Sequence, residues 1–365
     1  MHVYYALIVF VMAFAVTFAT VPLSKKIACT FNAIDYPGDC RMNTMPLPRC
    51  GGISLYLGLC AGALTIVVGV YAFGWPFDSL GVAHINYPLL FAGVSAIFIV
   101  GLVDDILQIG PLAKFLGQIA AATLVAFSSV IIDVSQLLGI SLSTPLSWIN
   151  IPVTVLYLVV FVNIVNLSDG LDGLATGIVT LISLALFFLF MAKGSYLTAL
   201  ITVAITAVCL AFLRFNYPPA SLFMGDSGSH VLGLMLGVVS IMGATVVTAG
   251  DVASSAAVSA VGAAAGDATA SAVTGAAAST AASGAQTQNI VSLVVPLIMA
   301  GVPLFDTCFA IVRRLRAKQS IGKGDLDHLH HRLARTSLGP RKTVWLLWLC
   351  TAALCGIALT LAFLI

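Results

Sequence analysis

The sequence predicts an all-α, polytopic integral membrane protein of about ten transmembrane helices, and three observations predict it. Of its 365 residues, 60% are hydrophobic and 8% charged, with a mean hydropathy of +1.08; a soluble domain carries roughly 25% charged residues. Apolar stretches approaching the about 20 residues that span hydrocarbon as a helix recur along the whole chain. The Lys and Arg residues collect between alternate stretches, as expected of a chain with a fixed orientation.

Taken in order, the candidate spans lie near 3–22, 51–73, 88–103, 112–132, 149–165, 173–191, 196–213, 230–249, 290–311 and 344–365. The first has no Lys or Arg before it and carries Lys25 and Lys26 after it, so it is expected to be a retained span and not a cleaved leader. Threading ten spans with both termini outside places the inner loops at 23–50, about 104–112, about 166–173, 214–229 and 312–343. Fifteen of the sixteen Lys and Arg then lie inside, and Lys193 alone lies outside. This predicts an N-out, C-out arrangement with the inner loops on the cytoplasmic face of the plasma membrane.

The chain reads as one domain, 1–365. Its outer loops are short except for residues 244–289, which are almost all Ala, Ser, Gly, Thr and Val, with Asp251 and Asp267 as their charges. That composition cannot bury enough apolar surface to order a domain, so a flexible extracytoplasmic insertion is expected. None of the eight Cys falls in an outer loop and no Cys-x-x-Cys occurs, which argues against both a disulfide framework and a zinc framework.

With no Glu in the chain, every side-chain carboxylate is one of fourteen Asp. The dense polar clusters sit at span ends on the side rich in Lys and Arg. Asp104-Asp105 closes the third span. Ionised carboxylates in hydrocarbon cost at least ~2.5–3.5 kcal/mol each, so the pair is either a solvated helix end or a site for Mg²⁺ or a base. Asn163, Asn166, Asp169 and Asp172 recur every third residue and would project to one side if the helix continued, although Gly170 and Gly173 oppose an unbroken helix. Amides and carboxylates together suit a nucleotide and a hard cation.

The next cluster runs from Asn216 through Pro218-Pro219 and Phe223 to Gly225-Asp226-Ser-Gly228. A Gly-Asp-Ser-Gly turn opening a helix offers backbone N–H groups to phosphate and one carboxylate to Mg²⁺. Phe223 is either a stacking face for a base or an ordinary apolar contact. Last comes His328-Leu-His330-His331-Arg332, an anion clamp by chemistry; a zinc site would need a softer partner that the sequence does not offer.

Several separated motifs, in order, resemble the polyprenyl-phosphate N-acetylhexosamine-1-phosphate transferases. They are Pro46-Leu-Pro48-Arg49-Cys-Gly51-Gly52, Gly101-Leu-Val-Asp104-Asp105 with Lys114-Phe-Leu-Gly-Gln118, Asn166 to Gly173, Phe223-Met-Gly-Asp226-Ser-Gly, Phe305-Asp306-Thr, and His328 to Arg332. Within that family the chain looks most like the branch that starts teichoic acid, enterobacterial common antigen and related glycans. The resemblance implies that Asp226 is the principal Mg²⁺ ligand, with Mn²⁺ able to replace Mg²⁺. It implies catalytic roles for Asp104, Asp105 and Asp172, with Asp104 as candidate base. Asn166 and Asp169 would line the nucleotide-sugar site with Asp172, Asn216 and Phe223 would sit near the uracil, and His328, His330, His331 and Arg332 would hold the diphosphate and sugar. The first inner loop departs from the family pattern, with Asn43 where a His is common.

The implied reaction moves N-acetylglucosamine 1-phosphate from a UDP-sugar to polyprenyl (undecaprenyl) phosphate and releases UMP, in one step or through an aspartyl-phosphate. The implied partners are UDP-N-acetylhexosamine, a polyprenyl phosphate lipid, the membrane and a second copy of the chain, with no nucleic acid. One alternative is phospho-MurNAc-pentapeptide transfer, whose enzymes typically show three consecutive His. A transporter is the remaining alternative, but transporters gather polar groups near the bilayer midplane, not at span ends.

Overall fold

The computed structural model describes residues 2–36, 46–75, 85–138, 144–264, 291, 293–316 and 328–364. Its helices are α1 (His2–Thr30), α2 (Gly52–Phe73), α3 (Tyr87–Leu107), α4 (Pro111–Phe127), α5 (Val134–Leu138), α6 (Asn150–Ser168), α7 (Leu174–Ala192) and α8 (Tyr196–Asn216). They continue with α9 (Gly225–Ala264), α10 (Leu293–Met299), α11 (Gly301–Arg316), α12 (Leu329–Ala334) and α13 (Gly339–Leu364). The strands among the described residues are the two-residue pair β1 (Ile34–Asp35) and β2 (Leu47–Pro48), antiparallel with Ile34 opposite Pro48. The protein is all-α.

Each of the ten expected spans corresponds to a helical segment, but not all are complete spans. Eight helices are long and apolar enough to cross a membrane. The expected span at 290–311 is α10 and α11, bent by 80° at Ala300. Pro303 cannot donate a backbone N–H, so the first turn of α11 cannot extend the hydrogen bonding of α10 through that position. The fourth expected span is the shorter α4, of 17 residues. Counted by length and composition, the described residues therefore hold eight spans, or nine with the bent pair.

The most buried span is α9, with 94% of its Gly225–Ala244 window buried and α6 and α3 packed most closely against it, followed by α8 at 78% and α7 at 72%. At 28% each, α1 and α13 form the rim, leaving most of their apolar surface for lipid. The helix α9 does not stop with the membrane span but continues to Ala264. The first part of the 244–289 stretch is thus helical, while 265–290 lie outside the described residues.

Candidate active site at one end of the bundle

The site is assembled around the first turn of α9. Gly225 has φ +71 and its Cα lies against Asp105 and the Arg49 carbonyl: a Cβ there would fall 2.5 Å from either Asp105 oxygen. Only glycine fits both the left-handed backbone and the space. Asp105, 1% exposed, accepts hydrogen bonds from the Asp226 N–H (2.8 Å), the Ser227 N–H (3.1 Å) and the Ser227 hydroxyl (2.5 Å). The N–H groups expected to cradle phosphate are therefore already taken by a carboxylate. Asp105 is the cap of α9, and its own orientation is set by α3.

Asp226 is then held from two sides. Asn166 of α6 donates from Nδ2 to Asp226 Oδ1 at 2.8 Å and to the Ser229 hydroxyl at 3.0 Å. Lys114 of α4 ion-pairs with Asp226 Oδ2, and the same ammonium lies 3.3 Å from Asp104 Oδ2. Adjacent in sequence, Asp104 and Asp105 thus face different tasks, one toward Lys114 and the other into the α9 backbone. Arg49 stands behind them, 4.0 Å from Asp105 Oδ1 and 3.7 Å from Asp35 Oδ1. Burial opposes the Arg49 charge, but Asp105 and then Asp35 outweigh it and hold the guanidinium above its ordinary pKa.

The helix carrying Asn163 and Asn166 does not continue through the third-residue series. It ends at Ser168, with Asp169 as its cap and Gly173 (φ +74) opening α7. Asp169 stays beside the site: enclosure by protein pushes its carboxyl well up, and Asp226 and then Asp105 push the same way. Asp172 turns elsewhere and accepts the Ala220 N–H at 2.9 Å. Asn216, 1% exposed, accepts from the Gly173 N–H (3.1 Å) and the Thr176 hydroxyl (2.8 Å) and donates to the Leu222 carbonyl (3.1 Å). In this structure Asp172 and Asn216 brace the 169–173 and 217–224 turns against each other. Phe223 is half-buried, and its backbone pairs with the first motif, N–H to the Pro48 carbonyl at 2.9 Å and carbonyl from the Gly51 N–H at 3.0 Å.

The histidine motif joins the same end of the bundle through Asp306, just beyond the bend at Ala300. One Asp306 carboxylate caps α12 through the Leu329 N–H (2.8 Å) and lies 3.2 Å from His328 Nδ1 and 3.4 Å from His330 Nδ1. His330 Nε2 is buried with no hydrogen-bond partner among the described residues and abuts Gly170, where a Cβ would lie 2.2 Å from it. Burial, followed by His330, His328 and Arg335, pulls His331 down to about 4. Arg332 is exposed, with no side-chain partner among the described residues, whereas His328, His330 and His331 are buried. Asn43 lies outside the described residues.

Arg49, Lys114, Gln118, Asn163 and Asp306 are functional candidates the sequence showed only as members of motifs or of the third-residue series. Their sequence signal was position: each lies at or one turn inside a polar span end.

At this end of the bundle, carboxylates outnumber cations. Asp104, Asp105, Asp169 and Asp226 face Lys114 and Arg49. Such a surplus at the end of apolar helices marks a multi-pass membrane protein with an acidic polar site. The glycosyl transferase family 4 model matches residues 87–244, from α3 through the span of α9. The chain is 29% identical over 343 residues to a probable undecaprenyl-phosphate N-acetylglucosaminyl 1-phosphate transferase of Bacillus subtilis, covering 93% of this chain and 81% of that one. It is 31% identical to the decaprenyl-phosphate N-acetylglucosaminephosphotransferase of Mycolicibacterium smegmatis, over 89% of this chain and 74% of that one. A phospho-N-acetylmuramoyl-pentapeptide-transferase of Caldicellulosiruptor bescii matches at 33% identity over 51% of this chain and 58% of that one. The chain belongs to the glycosyl transferase 4 family of polyprenyl-phosphate sugar-phosphate transferases.

Proposed function

We propose that the protein transfers N-acetylglucosamine 1-phosphate from UDP-N-acetylglucosamine to a polyprenyl phosphate such as undecaprenyl phosphate, releasing UMP, at the cytoplasmic face of the plasma membrane. The observation that carries the proposal is the convergence of Asp104, Asp226, Asn166 and Lys114 from four helices on one point at the span ends. Likeness to the polyprenyl-phosphate transferases over most of the chain supports it, while likeness to the pentapeptide transferase extends over about half.

In that reaction a lipid phosphate oxygen forms the new bond to the β-phosphorus of the UDP-sugar. The bond from that phosphorus to the bridging oxygen breaks, and UMP leaves with the electron pair. The site must bring two anions together, so positioning and charge neutralisation dominate. Lys114 supplies a fixed positive charge to the phosphate oxygens. A phosphomonoester with a second pKa near ~6 is already mostly dianionic at neutral pH, so Asp104 orients the acceptor more than it removes a proton. Asn166 holds Asp226 in place.

The donor set fits Mg²⁺. Carboxylate oxygens are the hard ligands it prefers, and a cation, the Lys114 ammonium, already lies between Asp104 and Asp226. Among the described residues no group of three His, Cys or Asp surrounds a single point; Mg²⁺ characteristically takes one or two carboxylates and completes its shell with water and substrate phosphate. Asp226 would hold it, with Asp104 beside. Bound there, Mg²⁺ would neutralise diphosphate oxygens and steady the departing UMP.

The test is UMP release by purified protein given undecaprenyl phosphate and Mg²⁺, with UDP-N-acetylglucosamine compared against UDP-MurNAc-pentapeptide. Release from the first alone is expected; release from the second alone would move the protein to the pentapeptide reaction. Asp226→Asn should abolish release while the thermal transition of the folded protein persists. Retention of most activity by that variant would remove Asp226 from the metal role.

A further inference from the structure

One helical turn behind the acidic site, the same three helices meet again through neutral polar side chains. Lys114 and Gln118 are four apart on α4, Asp226 and His230 four apart on α9, and Asn163 and Asn166 three apart on α6, so each helix contributes one residue to each layer. In the outer layer Lys114 and Asn166 meet Asp226. In the inner layer Asn163 Nδ2 donates to Gln118 Oε1 at 2.8 Å, and Gln118 Nε2 lies 3.2 Å from His230 Nε2. Gln118 is 2% exposed and His230 is fully buried.

The chemistry of this layer fixes its direction. Asn163 Nδ2 can only donate, so the Gln118 carbonyl accepts. That leaves the Gln118 NH₂ facing His230, so His230 Nε2 must accept and its proton must sit on Nδ1. His230 Nδ1 has no partner among the described residues, so the chain of bonds ends on an unpaired donor. Leaving a buried donor unmade is destabilising, and apolar side chains would fill the same space without that cost. Yet polar contacts between membrane helices fix register and rotation, because a one-sided slip leaves the whole layer unsatisfied.

We propose that Gln118, Asn163 and His230 are positioning residues, a layer that sets the rotation of α4, α6 and α9 so that Lys114 and Asn166 converge on Asp226. None of the three touches substrate. They act through the outer layer by locking the helix turn above it. The catalytic consequence rests on the transfer reading given above, whereas the bonding direction stands on the geometry alone.

Two measurements test this. Nitrogen-15 NMR of histidine-labelled protein in lipid nanodiscs reports where each of the six His carries its proton, with His230→Gln identifying the His230 signal. A neutral ring protonated on Nδ1 is expected; a proton on Nε2, or on both nitrogens, at neutral pH would overturn the network. Kinetics then separate positioning from binding. Gln118→Met keeps the side-chain volume and should lower kcat about tenfold or more, since small displacements at a reacting centre cost up to ~10²-fold, while KM for the UDP-sugar stays within about twofold. His230→Gln, whose carbonyl can accept the same bond, should retain most of the activity that His230→Leu loses. Unchanged kcat in Gln118→Met, or a His230→Gln as poor as His230→Leu, would overturn the positioning role. Wild-type protein that released no UMP would refute the transfer reading and leave the NMR result alone to decide the network.

Discussion

At the scale of single residues, the site divides between groups that face substrate and groups that hold those groups in place. Asp105 is the clearest case: a carboxylate beside Asp104 in sequence, it accepts three hydrogen bonds from the first turn of α9 and has none of its side-chain surface exposed. Asp169 shows the opposite economy, because like charges and enclosure raise its pKa. The sign follows directly. Below the ordinary value of 3.8 both folded and unfolded chains hold the proton and Asp169 is neutral to stability. As pH rises, the unfolded chain loses the proton first, so the folded state is progressively disfavoured until its own carboxyl ionises. In metal-free buffer Asp169→Asn should therefore raise Tm at pH 8 by ~2–4 °C, about 1 kcal/mol, with a smaller gain at pH 4.5. Transfer activity should fall at least about tenfold, as expected where a strained charge serves function at the expense of stability. Equal Tm gains at both pH values would rule out the electrostatic cause.

At the scale of elements, close helix approach decides where the catalytic turn sits. A Cβ on Gly101 of α3 would lie 2.5 Å from Ser227 Cα and 2.6 Å from the Asp226 carbonyl, and both obstacles are backbone. A Cβ on Gly237, deeper in α9, would crowd the flexible tip of Leu158 at 2.9 Å, with Leu158 Cα and Phe161 Cβ at an ordinary contact distance of 3.6 Å. Gly101→Ala should thus displace the Asp226 turn, costing about 1–3 kcal/mol and most of the activity, whereas Gly237→Ala should keep activity near wild type. Comparing Tm and UMP release for the two variants checks this; equal losses would mean that the α3–α9 approach has no special bearing on the site. The elements themselves were largely legible beforehand, because runs of apolar residues mark helices that lipid requires. The bend at Ala300 was not, since the apolar run passes through it without a change in hydropathy. That bend starts the separate helix on which Asp306 meets the histidines. Likewise the three-residue spacing from Asn163 to Asp172 suggested one polar side, but the chain turns at Asp169.

At the scale of the whole molecule, the sidedness of the bundle carries the functional reading. The ends of α1, α3, α6 and α8 and the starts of α2, α4, α7 and α9 meet at the acidic site, whereas the far end of α7 at Ala192 lies across the bundle. If the basic side faces the cytoplasm, a membrane-impermeant thiol reagent should leave Cys29, exposed at the end of α1, unlabelled in intact cells and modify it only after permeabilisation. In an Ala192→Cys variant the new thiol should react from outside. The reverse pattern would invert the orientation and place the acidic site outside. The sequence by itself determined that the chain is a helical membrane protein, which residues carry charge at span ends, and which family its motifs resemble. These follow from local order, because hydropathy and spacing are properties of neighbouring residues. Only the tertiary structure decided partnership: that Asp105 caps α9, that Lys114 sits between Asp104 and Asp226, and that Asn216 and Asp172 brace turns. Apart from Lys114 with Asp104 on the neighbouring helix, those pairings join residues from 40 to more than 120 positions apart. They are set by how helices rotate and pack against one another, which the hydropathy of each helix leaves undetermined.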